Sequence, residues 1–218
     1  MKVEIVRQKR KTLSIVINSD GVVKARAPKN MSVDTILAFV SQHEALIEER
    51  LKEREERKKK EHAYLDGEIF YYLGEGYKLS YYDGDKIGLY GGKLWMPEKY
   101  REDAKTKLLA WYKQEAKNLF DRVLKEESKR TGLPFSKFRV STARTRWGSC
   151  NGNSEIGLNY RLISAPEFVI RAVCVHELCH VPHKNHGKDY KHLLHKLCPR
   201  YDEAIKYLKT HPMDTMGE

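Results

Sequence analysis

The sequence predicts an α+β protein in which strands and helices come in separate runs and one buried helix carries the chemistry. Three observations lead there. Stretches rich in Val, Ile, Leu and Tyr, broken by Gly-containing turns, fill residues 3–27 and 64–96 with strand character. Helical spacing of apolar residues runs from about Ser32 into a charged stretch ending at Glu61, and again from Pro97 to Gly132. Finally, the apolar run Phe168–Val175 leads straight into His176-Glu-Leu-Cys-His180, and a further histidine, His186, follows six residues on.

Taken in order, Val3–Arg7 and Leu13–Ile17 read as strands, Ser19-Asp20-Gly21 as a turn, and Val22–Ala27 as the returning hairpin strand, ended by Pro28. The next segment is helical, with Val33, Ile36, Leu37, Val40, Leu46 and Ile47 apolar. It continues into Glu48–Glu61, where acid-before-base pairs four apart such as Glu48/Lys52 suit a solvated helix. Tyr64 to Met96 returns to strands, with turns at Asp66-Gly67, Asp83-Gly84 and Gly91-Gly92. Pro97 opens a second long helix whose buried stripe includes Leu108, Trp111, Tyr112, Leu119, Phe120 and Leu124, and Gly132 with Pro134 ends it. Phe138–Ser141 and Ile156–Asn159 read as strands. The last of these is expected to offer an edge on which an extended peptide can add. Helices are expected over Lys188–Leu197 and about Asp202–Lys209, with an unstructured tail after His211. This organisation divides the chain into a β-rich N-terminal region with the long charged helix, residues 1–96, and a catalytic domain, residues 97–218.

The metal reading follows from helix geometry. Residues four apart stand roughly 5–6 Å apart on one face, so His176 and His180 can share an ion, with Glu177 one step round the helix. Catalytic zinc takes three protein ligands and keeps one position open, and His186 is the third candidate. Ser164-Ala-Pro-Glu167 has the form of a capping box at the start of this helix, Pro166 suits a first turn, and Pro182 stops it. Two histidines and a carboxylate at the end of a buried helix are costly to desolvate unless something binds them.

Composition bounds the rest. With 40% hydrophobic and 33% charged residues over 218 positions the chain has the make-up of a soluble protein, and no signal-peptide core or membrane-spanning stretch is visible, which points to the cytoplasm. In that compartment Cys150, Cys174, Cys179 and Cys198 are expected to be reduced. Cys150 and Cys179 fall near the site but read as small buried apolar residues. The net charge is +11, and Arg139–Arg200 holds ten Lys/Arg against four Asp/Glu. A basic rim favours acidic ligands: nucleic acid, nucleotides or acidic peptides.

These residues together resemble the YgjP-like metallopeptidases. The resemblance rests on the N-terminal strands with Ala27-Pro28, Arg146-Trp-Gly-Ser-Cys150, Leu158-Asn159, the His176–His180 helix and Asn185-His186. At greater distance the chain is similar to SprT-like proteases. Where the YgjP-like family usually has Phe-Trp, this chain has Tyr190-Lys191. The resemblance implies a zincin-like catalytic domain, zinc on His176, His180 and His186, and Glu177 as general base. In that chemistry zinc brings the pKa of water to roughly 7, and Glu177 moves its proton to the leaving amine. Arg144, Arg146, Asn159, Tyr160 and His183 are the candidate substrate-binding residues, and Tyr160, His183 and Arg146 are candidates to stabilise the oxyanion. The expected function is a zinc metallopeptidase acting on peptide or protein substrates, with no membrane partner. Two alternatives stay open: a metal-dependent nucleotide pyrophosphatase or phosphohydrolase, with Arg144, Arg146, Lys184 and Lys188 on the phosphates, and a nucleic-acid-associated protein with a structural zinc.

Overall fold

The computed structural model describes residues 3–18, 21–59, 62–143 and 145–211. The chain forms two compact units, Met1–Glu61 and His62–Glu218. The boundary therefore lies between Glu61 and His62, and not after Met96 as the sequence suggested. The reason is packing. Phe70, Leu79, Leu94 and Met96, from the sheet expected to belong to the N-terminal region, share one core with the second long helix and the metal-motif helix.

The first unit holds β1 (Val3–Gln8), β2 (Ser14–Ile17), β3 (Val23–Pro28), α1 (Val33–Gln42) and α2 (Glu44–Lys59). β3 is central, parallel to β1 and antiparallel to β2. Its inward residues Val23, Ala25 and Ala27 are small enough to let Ile36, Val40 and Ile47 close on them. Ser32 caps α1 by accepting from the Thr35 N–H. The single helix expected through this region is broken at His43, whose N–H bonds to the Val40 carbonyl and whose Nδ1 lies 2.8 Å from the Phe39 carbonyl. The expected turn at Ser19-Asp20 and the end of the charged stretch at Lys60-Glu61 lie outside the described residues.

The second unit begins with a four-stranded sheet, β4 (Ile69–Tyr72), β5 (Glu75–Tyr82), β6 (Gly88–Tyr90) and β7 (Lys93–Pro97), in the order β4-β5-β7-β6. Pro97 leads into a 3-10 turn, Glu98–Asp103, before α3 (Ala104–Thr131) starts, so the long helix begins later than the proline alone implied. Gly132, at φ 71°, supplies the left-handed C-cap. A second small sheet follows: β8 (Lys137–Ser141), β9 (Gly148–Cys150) and β10 (Glu155–Asn159), in the order β8-β10-β9. β10 is thus the central strand and has no free edge; the open edge beside the metal motif belongs to β9, a short strand that the sequence pattern did not reveal. Then come α4 (Glu167–Cys179), α5 (Lys188–Leu197) and α6 (Tyr201–Thr210). The tail after His211 lies outside the described residues. No helix among the described residues is long and apolar enough to cross a membrane.

α4 is fixed at its start by long-range contacts, not by the capping box. Its N-cap is Pro166, and the Ser164 hydroxyl bonds back to the Arg161 carbonyl. The β4–β5 turn docks there instead. The Leu73 and Gly74 N–H groups bond to the Ile163 and Ser164 carbonyls at 2.8 and 2.9 Å. Farther along, Arg171 joins Glu167 of its own helix to Glu126 and Glu127 of α3, and Glu127 is buried.

This docking yields a first prediction. Gly74 sits at φ +87° and a Cβ there would stand 2.7 Å from Pro166; Gly67 has the same φ with open space around it. Both Gly→Ala substitutions carry a left-handed backbone penalty of about 1 kcal/mol. Gly74→Ala should cost about 1–3 kcal/mol more, because the turn must lift off Pro166. Denaturant unfolding of the two variants checks the difference.

Candidate metal centre

α4 is apolar along most of its length, with Val169, Ile170, Ala172, Val173, Cys174, Val175 and Leu178 buried. Its last turn carries His176 and Glu177, and His180 is the C-cap residue, so the helix ends at Cys179, ahead of Pro182. The His176 and His180 rings stand 5.0 Å apart between centroids. The chain then turns through 181–187 and returns as α5, which brings His186 back to the pair. One nitrogen from each of the three histidines falls in a cluster no wider than 4.8 Å. The Nε2 atoms of His176 and His186 lie 3.4 Å apart.

These residues fit a metal ion. Nitrogens about 2.0–2.1 Å from a tetrahedral zinc stand about 3.3 Å from one another, close to the His176–His186 spacing. The outward nitrogens agree. His180 Nδ1 bonds to the His183 carbonyl at 3.0 Å, and His176 Nδ1 meets the hydroxyls of Tyr190 at 2.7 Å and Tyr201 at 2.8 Å. Both Nε2 atoms are thereby left for the centre of the cluster. Burial, then the neighbouring His180 and His186, push the His176 imidazolium down to about 4, so the ring is neutral and able to ligate near neutral pH.

Glu177 is 3% exposed, and its Oε2 is buried with no hydrogen-bond partner. Burial raises its carboxyl to about 8, opposed by the Arg146 guanidinium. The strand β9 makes this packing possible: a Cβ on Gly148 would lie 2.3 Å from Glu177 Oε1. Any side chain at this glycine of the Arg146–Cys150 segment would have to push the Glu177 carboxylate aside.

The other sequence candidates are distributed as follows. Arg146 is exposed at the rim, near enough for its charge to act on Glu177. Asn159 is buried and holds the loop that carries Arg146: its Nδ2 donates to the Ala143 and Arg146 carbonyls at 2.6 and 3.1 Å, and its N–H to the Trp147 carbonyl at 2.8 Å. His183 enters through its carbonyl, which orients His180. Tyr160 is fully buried in the main core, its ring flanked by Lys113 and Arg161 and its hydroxyl unpartnered. Arg144 lies outside the described residues. Lys184 is exposed and reaches the Asn151 carbonyl at 3.4 Å, linking the 181–187 turn to the β9–β10 hairpin. Cys179 is buried against Val175, Tyr190 and Leu194, and all four cysteines are free. Sequence reasoning missed the Gly148–Glu177 contact and the two tyrosine hydroxyls. Tyr190 stood out in the sequence as a departure from the family's usual Phe-Trp, not as a partner of His176.

The core helix of this mixed α+β unit thus ends in a three-histidine cluster that could hold a metal ion, next to a buried glutamate. The YgjP-like metallopeptidase domain model matches residues 11–211, and the chain belongs to that family. No match is found among the curated proteins.

Two predictions arise here. Gly148→Ala should displace the Glu177 carboxylate while leaving the histidines in place, so metal content should hold while hydrolysis falls; metal analysis and rate, measured together, check it. The second concerns the chelator-treated protein. A carboxyl raised to about 8 binds a proton in the fold that the unfolded chain releases near 4.5, so its contribution to stability declines as pH rises through that window. His176, depressed to about 4 from 6.5, acts in the opposite direction only below about 6.5. Between pH 6.5 and 8 the metal-free wild type should therefore lose about 1–2 kcal/mol that Glu177→Gln does not lose. Unfolding midpoints across that range check the sign.

Proposed function

We propose that this chain is a zinc-dependent metallopeptidase with His176, His180 and His186 as the zinc ligands and Glu177 as the general base. The observation that carries the reading is the convergence of three imidazole nitrogens within 4.8 Å beside a buried glutamate whose Oε2 has no partner. Zinc held there supplies Lewis acidity, which brings the deprotonation of water to roughly neutral pH. Glu177 takes the proton from the attacking water at its carboxylate and delivers it to the nitrogen of the leaving amine. The substrate peptide lies extended along the open edge of β9, where backbone pairing would set its scissile carbonyl next to Glu177, because Gly148 of that strand lies against the carboxylate. Arg146, on the loop held by Asn159, meets the substrate at the rim. Family membership favours the peptide bond over a nucleotide phosphoanhydride and lends no support to a nucleic-acid partner.

Two variants test the assignment. Glu177→Gln should keep zinc and lower turnover by about 10²–10⁴-fold, since the amide leaves the three imidazoles untouched but cannot move a proton. His186→Ala should lose zinc and activity together. The measurements are zinc content and hydrolysis of casein and a peptide library, with nucleoside triphosphates alongside. Full activity in Glu177→Gln on the substrate that proves real would overturn the mechanism.

A further inference from the structure

His176 is half-buried and is the one of the three histidines with two hydroxyl neighbours on its outward nitrogen. Tyr190, from α5, is 2% exposed and touches all three rings: its centroid lies 5.5 Å from His176, 4.6 Å from His180 and 4.8 Å from His186. Tyr201, at the start of α6, stacks on His176 at 5.6 Å with an interplanar angle of 12°. Both hydroxyls reach the same atom, His176 Nδ1. Tyr190 also lies 3.2 Å from the His176 backbone carbonyl, to which its O–H can donate.

We propose that Tyr190 and Tyr201 form a shared hydroxyl cradle that positions His176 for the metal, each able to stand in for the other on Nδ1. The inference rests on the reading of His176 as a zinc ligand. A neutral imidazole has one N–H and one lone pair. With Nε2 turned to the centre of the cluster and engaged there, Nδ1 carries the proton and donates it. One N–H faces two phenolic oxygens, and either alone satisfies it. Tyr190 can accept while its own proton goes to the His176 carbonyl, which also ties the imidazole to its own main chain. Before the ion arrives, a proton can sit on Nε2 instead. Nδ1 then becomes an acceptor, and a rotated tyrosine hydroxyl donates to it. A carboxylate in the same place could only accept. The hydroxyl pair therefore keeps His176 in one orientation in both tautomers, at the cost of a less basic ligand than a carboxylate partner would make.

Shared partners make a specific prediction, because losses at groups serving one donor do not add. Tyr190→Phe keeps every ring contact and removes only the hydroxyl, and Tyr201→Phe does likewise. Zinc affinity, read by competition with a chromophoric chelator on the full chain, should fall at most a few-fold in either single variant. It should fall about 10–100-fold in the double variant, which leaves Nδ1–H buried without an acceptor. An unchanged affinity in the double variant would overturn the proposal, as would single losses that simply add up to the double one. Should the double variant not fold, histidine-labelled NMR of the zinc-loaded wild type and single variants decides. A His176 Nδ1–H resonance protected from solvent exchange in all three is expected, and its absence from either single variant overturns the shared cradle. Failure of the underlying reading looks different: wild type without tight zinc, or His186→Ala binding zinc as wild type does, would remove the metal site itself.

Discussion

A carboxyl group buried without a hydrogen-bond partner is the constraint around which the second unit is arranged. Leaving a polar atom such as Glu177 Oε2 out of water costs a few kcal/mol, and a helix free to shift would relieve the cost by sliding toward solvent. α4 is held against that shift along its length. The β4–β5 turn is bonded to the segment before it, Arg171 is tied to two glutamates of α3, β9 presses Gly148 against Glu177, and the tyrosines of α5 and α6 close on His176. The apolar run that places α4 in the core is the same feature that makes its polar end reactive.

Much of this was legible locally. The apolar run of α4, the four-residue spacing of its histidines, the start of α1 near Ser32, the Gly132 cap and the β2–β3 hairpin are all set by residues within a few positions of one another, and pattern reading reaches that far. The misreadings share a cause. Ser164 has the sequence of a cap, yet Pro166 is the N-cap and the Ser164 hydroxyl turns back to Arg161. β9 is three residues long and exists because Ile156, Gly157 and Leu158 are there to pair with it. The domain boundary moved because the inward residues of the first sheet of the second unit find their partners on α3 and α4, well along the chain. Tyr190 and Tyr201 lie 14 and 25 residues from His176, at spacings that no helical or strand period singles out.

The basic character of the region also takes on a more specific meaning once placed in space. Arg171 and Arg161, two of the cations between Arg139 and Arg200, are not part of a basic surface. Arg171 is consumed by three glutamates and Arg161 is buried. Among the described residues, Arg146 stands on one wall near the cluster and Lys184 on the other, each borne on a turn that is bonded to the β9–β10 hairpin or to β10 itself.

The three histidines are held by three different means, and this sets an order among them. His176 is half-buried, with its outward nitrogen on two tyrosine hydroxyls; His180 leans on the His183 carbonyl, four residues past the helix end; His186 is exposed, in a loop tightened by the Asn185 Oδ1 contact to the Gly187 N–H. The 181–187 loop that supplies His186 also carries Lys184 toward Asn151 on the β9–β10 hairpin. One side of the histidine cluster and the wall opposite β9 are consequently built from the same seven residues, and Tyr190, packed against all three rings from the first turn of α5, ties the following helix to them.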